Sequence, residues 1–157
     1  MKVLINLRSD LSGSFEDPSS ADLVSGELIC DGHSICISWT QPPDGEQGCK
    51  ALYHLVYERP GGVLHLTRKG EHTTDLFFSM DACTKGTLAT GYGDFSVEIR
   101  TQHLFVPDEL WNLEDPDAVR NAVKERRLYI SLRYLLYLSA QEPVQNDISI
   151  QIRFEKQ

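Results

Sequence analysis

The sequence lacks the cysteine and histidine spacings that hold small domains together through disulfides or zinc. Four cysteines occur in 157 residues, and they form neither a Cys-x-x-Cys pair nor a zinc-ligand pattern. A chain of this length buries roughly two thirds of its unfolded surface, so its core can stabilise the fold without such cross-links. We therefore expect reduced thiols and a protein that requires no metal or other cofactor.

Long apolar runs are also missing. No segment approaches the roughly 20 residues that a transmembrane helix requires. The short apolar run at the beginning of the sequence is interrupted by Asn6 and Arg8, and no small-residue cleavage site follows it, which is atypical of a signal peptide. We interpret Val3, Ile5 and Leu7 instead as the inner face of a first strand. These features predict a cytoplasmic protein that does not associate with membranes.

Basic residues are in the minority. The sequence has 15 lysines and arginines against 23 aspartates and glutamates, which gives a formal net charge of -8 and a pI near 5.0. A uniformly acidic surface repels the phosphate backbone of nucleic acids, so the composition argues against a nucleic-acid partner. It argues equally against docking on an anionic membrane surface.

Alternation of apolar and polar residues is the dominant pattern. Within residues 93–104, one face carries Phe95, Val97, Ile99, Thr101 and His103. A period of two is typical of a β-strand with one face in the core and the other in solvent. Similar segments recur along most of the chain, separated by Asp-Gly, Gly-rich and Pro-rich turns.

The order of these segments predicts an all-β fold. Eight to ten strands follow one another in hairpin order, without the strand–helix alternation of a parallel sheet. A sandwich would satisfy this order, but long consecutive strands and tight hairpins favour a single antiparallel up-and-down β-barrel over residues 1–157. One segment breaks the rhythm, because Asp115-Pro116 is a good helix start. We expect a short inserted helix near residues 115–125.

Side-chain parity predicts which residues face each other across two of the turns. The glycine-rich turn after residue 90 sets Leu88 opposite Phe95 on the inner face. A two-residue turn at Asp31-Gly32 is expected to pair Leu28 with Ile35. Both registers keep the apolar positions of the paired strands on one side of the sheet.

Three segments of the sequence resemble a known family. The segments Gly26-Glu27-Leu28, Leu64–Gly70 and Thr90–Thr101 are similar to those of the YwiB-like family, which consists of uncharacterised bacterial proteins with a calycin-like, or lipocalin-like, β-barrel. The resemblance covers most of the chain in order. It implies a calycin-like barrel in a bacterial cytoplasm, and it transfers no catalytic residue, because none is established for that family.

The alternation also predicts a candidate ligand site inside the barrel. Its residues combine aromatic rings with polar groups that could orient a small molecule, and they are Trp39, Tyr53, His72, Thr101, His103 and Tyr134. The alternative is that the two histidines lie near the barrel ends in structural hydrogen bonds. Binding of a small molecule in the barrel interior is our first functional hypothesis.

A second hypothesis concerns the outer face of the longest late strand. Tyr129, Arg133 and Tyr137 would form an outward stripe together with Leu135, and Tyr and Arg are enriched at protein interfaces. The stripe could contact a partner protein or a second copy in a homodimer. Alternatively, the inserted helix could cover it, because an apolar outer patch requires some explanation.

An enzyme is the third hypothesis. His72 and His103 motivate it, because inward imidazoles could titrate near neutral pH. No nucleophile or acid–base constellation accompanies them in the sequence, and no catalytic motif with a known mechanism occurs. We therefore assign no catalytic residue.

Overall fold

The computed structural model describes residues 1–10, 23–42, 50–80, 82–112, 128–138 and 142–154, with the side chains of residues 9, 10 and 112 excepted. Ten strands and one short 3-10 helix make up these residues. The strands are β1 (Lys2–Asp10), β2 (Val24–Cys30), β3 (Ser34–Gln41), β4 (Ala51–Glu58), β5 (Val63–Lys69), β6 (Thr73–Phe78), β7 (Thr84–Thr90), β8 (Gly93–Phe105), β9 (Leu128–Tyr137) and β10 (Val144–Phe154), and the 3-10 helix spans Asp108–Asn112. The inserted helix expected near residues 115–125 lies outside the described residues.

The ten strands form one closed antiparallel barrel. Each strand pairs with its neighbours in sequence, and β1 pairs with β10 to close the ring. This arrangement confirms the all-β, up-and-down barrel predicted from the sequence. Among the described residues, no helix has the length and apolar character needed to cross a bilayer.

One predicted register is confirmed and the other is corrected. Leu88 lies opposite Phe95, as expected. Leu28 pairs with Ile37 rather than Ile35, because the turn is longer than two residues. The carboxylate of Asp31 accepts backbone hydrogen bonds from the next residues, at 2.9 Å from His33 N and 2.7 Å from Ser34 N. The register therefore shifts by two residues, and the inner and outer faces keep their identity.

The barrel interior is filled by aliphatic side chains. Its middle layer is a single row across seven strands, with Leu28, Ile37, Leu55, Leu66, Leu76, Gly86 and Val97 as neighbours. No side chain of this row is more than 5% exposed. Because a void large enough for water would add exposed surface to its walls, this layer is close-packed.

The 3-10 helix lies at one end of the barrel, which we call the helix end. Leu110 is completely buried in the main core cluster. The next residue, Trp111, lies under the guanidinium of Arg59, whose carbon is 3.9 Å from the ring centroid, and it contacts the ring of Tyr57 at 6.0 Å. These contacts hold the 3-10 helix against the end of β4 by apolar and cation–π packing.

Gly86 is required where β6 and β7 approach each other closely. A Cβ atom at this position would lie 2.6 Å from the backbone oxygen of Asp75 and 2.8 Å from Cδ2 of Leu76. Real Cβ atoms do not approach backbone oxygens so closely, so a larger residue would force the two strands apart.

We predict that Gly86→Ala destabilises the barrel by about 1–3 kcal/mol, because the added methyl group overpacks the sheet. The matched control is Gly91→Ala, where an added Cβ meets nothing within 4 Å, and it is expected to leave stability nearly unchanged. Urea unfolding followed by circular dichroism measures both. Equal midpoints for the two variants would contradict the close approach.

Candidate functional site

The inner face changes character at the end opposite the 3-10 helix, which we call the open end. One row nearer this end than the middle layer, the neighbours across the strands are Gly26, Trp39, Tyr53, Arg68, Thr74, Leu88 and Phe95. We call this set the rim row. Trp39 is 3% exposed, whereas Phe95 is 45% exposed, and the four residues from Tyr53 to Leu88 in this row are half-buried. The rim row is therefore accessible to solvent where the middle layer is not.

Three neighbouring strands place an aromatic stack beside a cation. The rings of Trp39 and Tyr53 are parallel, with centroids 5.0 Å apart. Arg68 donates from Nε to the Tyr53 hydroxyl at 3.2 Å and from Nη1 to the backbone oxygen of His72 at 2.9 Å. Of the inner-face strand residues that the structure describes, Arg68 alone carries a charge. The two hydrogen bonds hold its guanidinium in a fixed orientation.

Trp39 contributes a buried donor to the same row. Its indole Nε1 is buried and has no hydrogen-bond partner. An indole nitrogen can only donate, and leaving such a donor unsatisfied costs about 1–3 kcal/mol. The rim row therefore contains a buried donor that no described protein atom satisfies.

A second polar group lies on β8, β9 and β10. Asn146 donates from Nδ2 to the hydroxyl of Tyr134 at 2.8 Å, and the Tyr134 ring contacts Phe78 at 4.8 Å. Burial raises the pKa of Tyr134, and the hydrogen bond from Asn146 partly offsets this increase. Thr101 is opposite Tyr134, and its hydroxyl oxygen is buried without a partner.

The structure places the six predicted site residues in three environments. Trp39 and Tyr53 lie together in the rim row, and Thr101 and Tyr134 are buried neighbours on β8 and β9. His72 and His103 are exposed, which corrects the prediction that both point inward.

Each histidine is displaced by a local feature of its strand. β6 begins at Thr73, so His72 belongs to the preceding turn, and its backbone oxygen rather than its imidazole contacts Arg68. In β8 a bulge between Thr101 and His103 shifts the pairing by one residue, which sets His103 opposite Arg133 on the outer face. A bulge reverses the inside–outside parity beyond it. The motivation for an enzymatic site is lost with these two side chains.

The outer face carries two further contacts that involve histidine. The sulfur of Cys36 is 3.6 Å from Nε2 of His54, and burial raises the pKa of that thiol, which disfavours the nucleophilic thiolate. His65 stacks on Phe77 at 4.0 Å and pairs with the carboxylate of Asp75. In the described part of the chain, no three histidine, cysteine or carboxylate side chains form a group that could hold a metal ion.

The outer stripe is partly covered. Tyr129 and Tyr137 are half-buried, while Arg133 exposes 51% of its side chain. Nε of Arg133 donates to Asp147 at 2.7 Å, and the side chain of Asp147 is 7% exposed. The stripe therefore presents an anchored guanidinium between two aromatic rings.

Sequence reasoning missed Arg68 and Asn146. Both lie on inner faces that it had identified, since Leu64 and Leu66 continue to Arg68 with a period of two, and Ile150 and Ile148 continue back to Asn146. Extending the alternation by one step in each strand would have found them.

The fold and the rim row define a class of protein: a closed antiparallel barrel with a packed interior and a polar, aromatic open end. No family model matches the chain. The crystal structure of the YwiB protein from Bacillus subtilis superimposes with a TM-score of 0.62 at 13% sequence identity, covering 99% of this chain and 91% of that one. This likeness confirms, at the level of the fold, the resemblance to YwiB-like proteins.

A curated human protein also resembles the chain in sequence. Rho guanine nucleotide exchange factor 12 is 29% identical over 136 residues, which cover 83% of this chain. The match spans 8% of that much longer protein.

We predict that Tyr134→Phe flattens the alkaline loss of stability. The unfolded tyrosine ionises near pH 10, and burial raises the pKa in the folded state, so the folded state retains the proton longer. The stabilisation is complete below about pH 10 and falls as the pH rises further. At neutral pH the variant is expected to lose about 1 kcal/mol with the Asn146 hydrogen bond.

Urea unfolding at a series of pH values measures this effect. Tyr92→Phe is the matched control, because Tyr92 is 97% exposed, and it is expected to keep the alkaline profile of the unmodified protein. A Tyr134→Phe profile as steep as that of the unmodified protein above pH 10 would show that another group causes the loss.

Proposed function

We propose that the protein binds a small organic molecule at the open end of the barrel, against the rim row. The observation that carries this proposal is the half-buried guanidinium of Arg68 beside the ring of Tyr53, in an inner row that solvent reaches. A binding site combines apolar walls with a few placed polar groups. The Trp39–Tyr53 stack supplies such a wall, and Arg68 supplies polar groups beside it.

The packing of the barrel supports a ligand site at the open end rather than in the centre. The middle layer has no side chain more than 5% exposed, so a ligand there would require the core to rearrange. A ligand at the rim row would replace water instead of core contacts. The sequence-based hypothesis of a ligand in the barrel interior becomes a ligand at one mouth of the barrel, and the bacterial and cytoplasmic setting stays a prediction.

A neutral fluorescent probe, phenylnaphthylamine, tests the site directly. In the Trp111→Phe background, Trp39 is the sole tryptophan because the chain has two, so energy transfer from Trp39 reports a probe bound nearby. We expect saturable transfer, and roughly tenfold weaker binding in Tyr53→Ala, which removes one aromatic wall.

Tyr92→Ala removes an exposed tyrosine and serves as the control, with binding expected to be unchanged. Transfer that does not saturate, or an affinity that Tyr53→Ala leaves intact, would count against a ligand at the rim row.

A second candidate function is protein–protein interaction through Tyr129, Arg133 and Tyr137. Ordering a long side chain costs conformational entropy on binding, and the bond from Arg133 to Asp147 has already ordered this one. Exposed arginine beside tyrosine is also the composition typical of interface centres. We propose a second copy of the chain as the partner; the inserted helix expected near residues 115–125, which the sequence also assigns to this interaction, lies outside the described residues.

Light scattering tests the homodimer. If the stripe is its interface, Tyr129→Glu and Tyr137→Glu shift the mass to that of the monomer, because each buries a charge that lacks a partner. Tyr92→Glu, on an exposed turn, should leave the mass unchanged. A monomeric mass for the unmodified protein, or a dimer that both substitutions tolerate, would remove this candidate.

A further inference from the structure

The polar groups of the rim row supply several hydrogen-bond donors, most of them on Arg68. Arg68 has five N–H groups and no acceptor, and the contacts to Tyr53 and to the His72 backbone use one on Nε and one on Nη1. Three N–H groups of the guanidinium therefore make no hydrogen bond to a described residue. The Trp39 N–H is unpaired, and the Tyr53 hydroxyl, which accepts from Arg68, keeps its own hydrogen to donate.

The cation of this row is not neutralised by the described residues. Both ion pairs that they form lie on the outer face, between His65 and Asp75 and between Arg133 and Asp147. No described carboxylate pairs with Arg68, although the chain as a whole carries a net charge of -8. A half-buried inward arginine that no described carboxylate neutralises favours an anion over a neutral molecule.

We infer that the rim row selects a planar organic carboxylate. The free edge of the Arg68 guanidinium matches a carboxylate, which accepts two parallel N–H bonds. The half-buried ring of Tyr53, which is stacked on Trp39, offers aromatic surface for a planar ring. This inference rests on the proposed function, since it assigns the chemistry of the ligand bound at that same site.

The hydrogen bond from Arg68 to the His72 backbone oxygen gives the site a fixed geometry. It ties the guanidinium to the turn between β5 and β6, while the bond to Tyr53 ties it to β4. Two anchors on different strands hold the fork in place before the ligand arrives, which lowers the entropy lost on binding. Lysine has no such fork, so Arg68→Lys retains the charge and loses the geometry.

A matched pair of ligands separates binding at the rim row from a preference for the carboxylate. Naphthoate and its methyl ester differ in charge and share the planar ring, and each is titrated as a competitor of bound phenylnaphthylamine. We expect the unmodified protein to bind naphthoate roughly tenfold or more tighter than the ester, because hydrogen bonds to charged groups contribute that much. This comparison requires no variant and is unaffected by folding defects.

Variants then identify the residues that cause the preference for the acid over the ester. Arg68→Met should abolish the preference for the acid while the ester binds as before, and Arg68→Lys should recover part of it. Arg100→Met, an exposed arginine on the outer face, is the control and should keep the full preference.

The outcomes distinguish the two proposals. Equal affinity of the unmodified protein for acid and ester would overturn the carboxylate inference and leave binding at the rim row standing. A preference that survives Arg68→Met would overturn the role of Arg68. If phenylnaphthylamine itself does not bind, the proposed function fails, and the carboxylate inference fails with it.

Discussion

Closure of the sheet is the constraint on which the rest of the structure depends. The pairing of β1 with β10 runs from Val3 opposite Phe154 to Asp10 opposite Asp147, and it joins the first and last strands of the ring. Without this pairing, both strands would present edges with unsatisfied backbone groups. Closure also gives every strand an inner and an outer face, so that successive side chains alternate between the core and the outside of the barrel.

The inner face is then organised in rows that run across the strands. Adjacent rows are two residues apart along each strand, so two rows that cross the same strands can differ in composition. The middle row is aliphatic and packed, whereas the next row towards the open end contains Trp39, Tyr53 and Arg68. Polar side chains next to the packed core raise the free energy of the folded state when they are buried without hydrogen-bond partners. This cost is tolerable at an open end, where solvent or a ligand can satisfy the polar groups.

Much of the fold could be predicted from the sequence, because alternation is a local signal. Every strand of a closed barrel shows it, since each strand has one inner and one outer face. A range of eight to ten strands, their consecutive order and the pairing of Leu88 with Phe95 could be predicted from the alternation and the positions of the turns. The register between β2 and β3 could not be predicted, since it depends on how the Asp31 carboxylate organises the turn. The bulge after Thr101 is a property of the paired strands, so His103 could not be placed from its own sequence. Four of the six predicted site residues therefore lie on the inner face as parity predicted, and the two errors, His72 and His103, lie where parity is interrupted.

The cost of desolvating a charge explains why the proposed site depends on Arg68. An arginine on the inner face of a barrel must be desolvated in part, and an ordinary structural role would pair it with a carboxylate to offset that cost. Arg68 instead donates to two neutral oxygens, one from Tyr53 and one from the His72 backbone. Neutral acceptors orient a guanidinium without cancelling its charge. No described residue therefore cancels the positive charge of Arg68, in a protein whose net charge is negative, and such a charge attracts an anion at the mouth of the barrel.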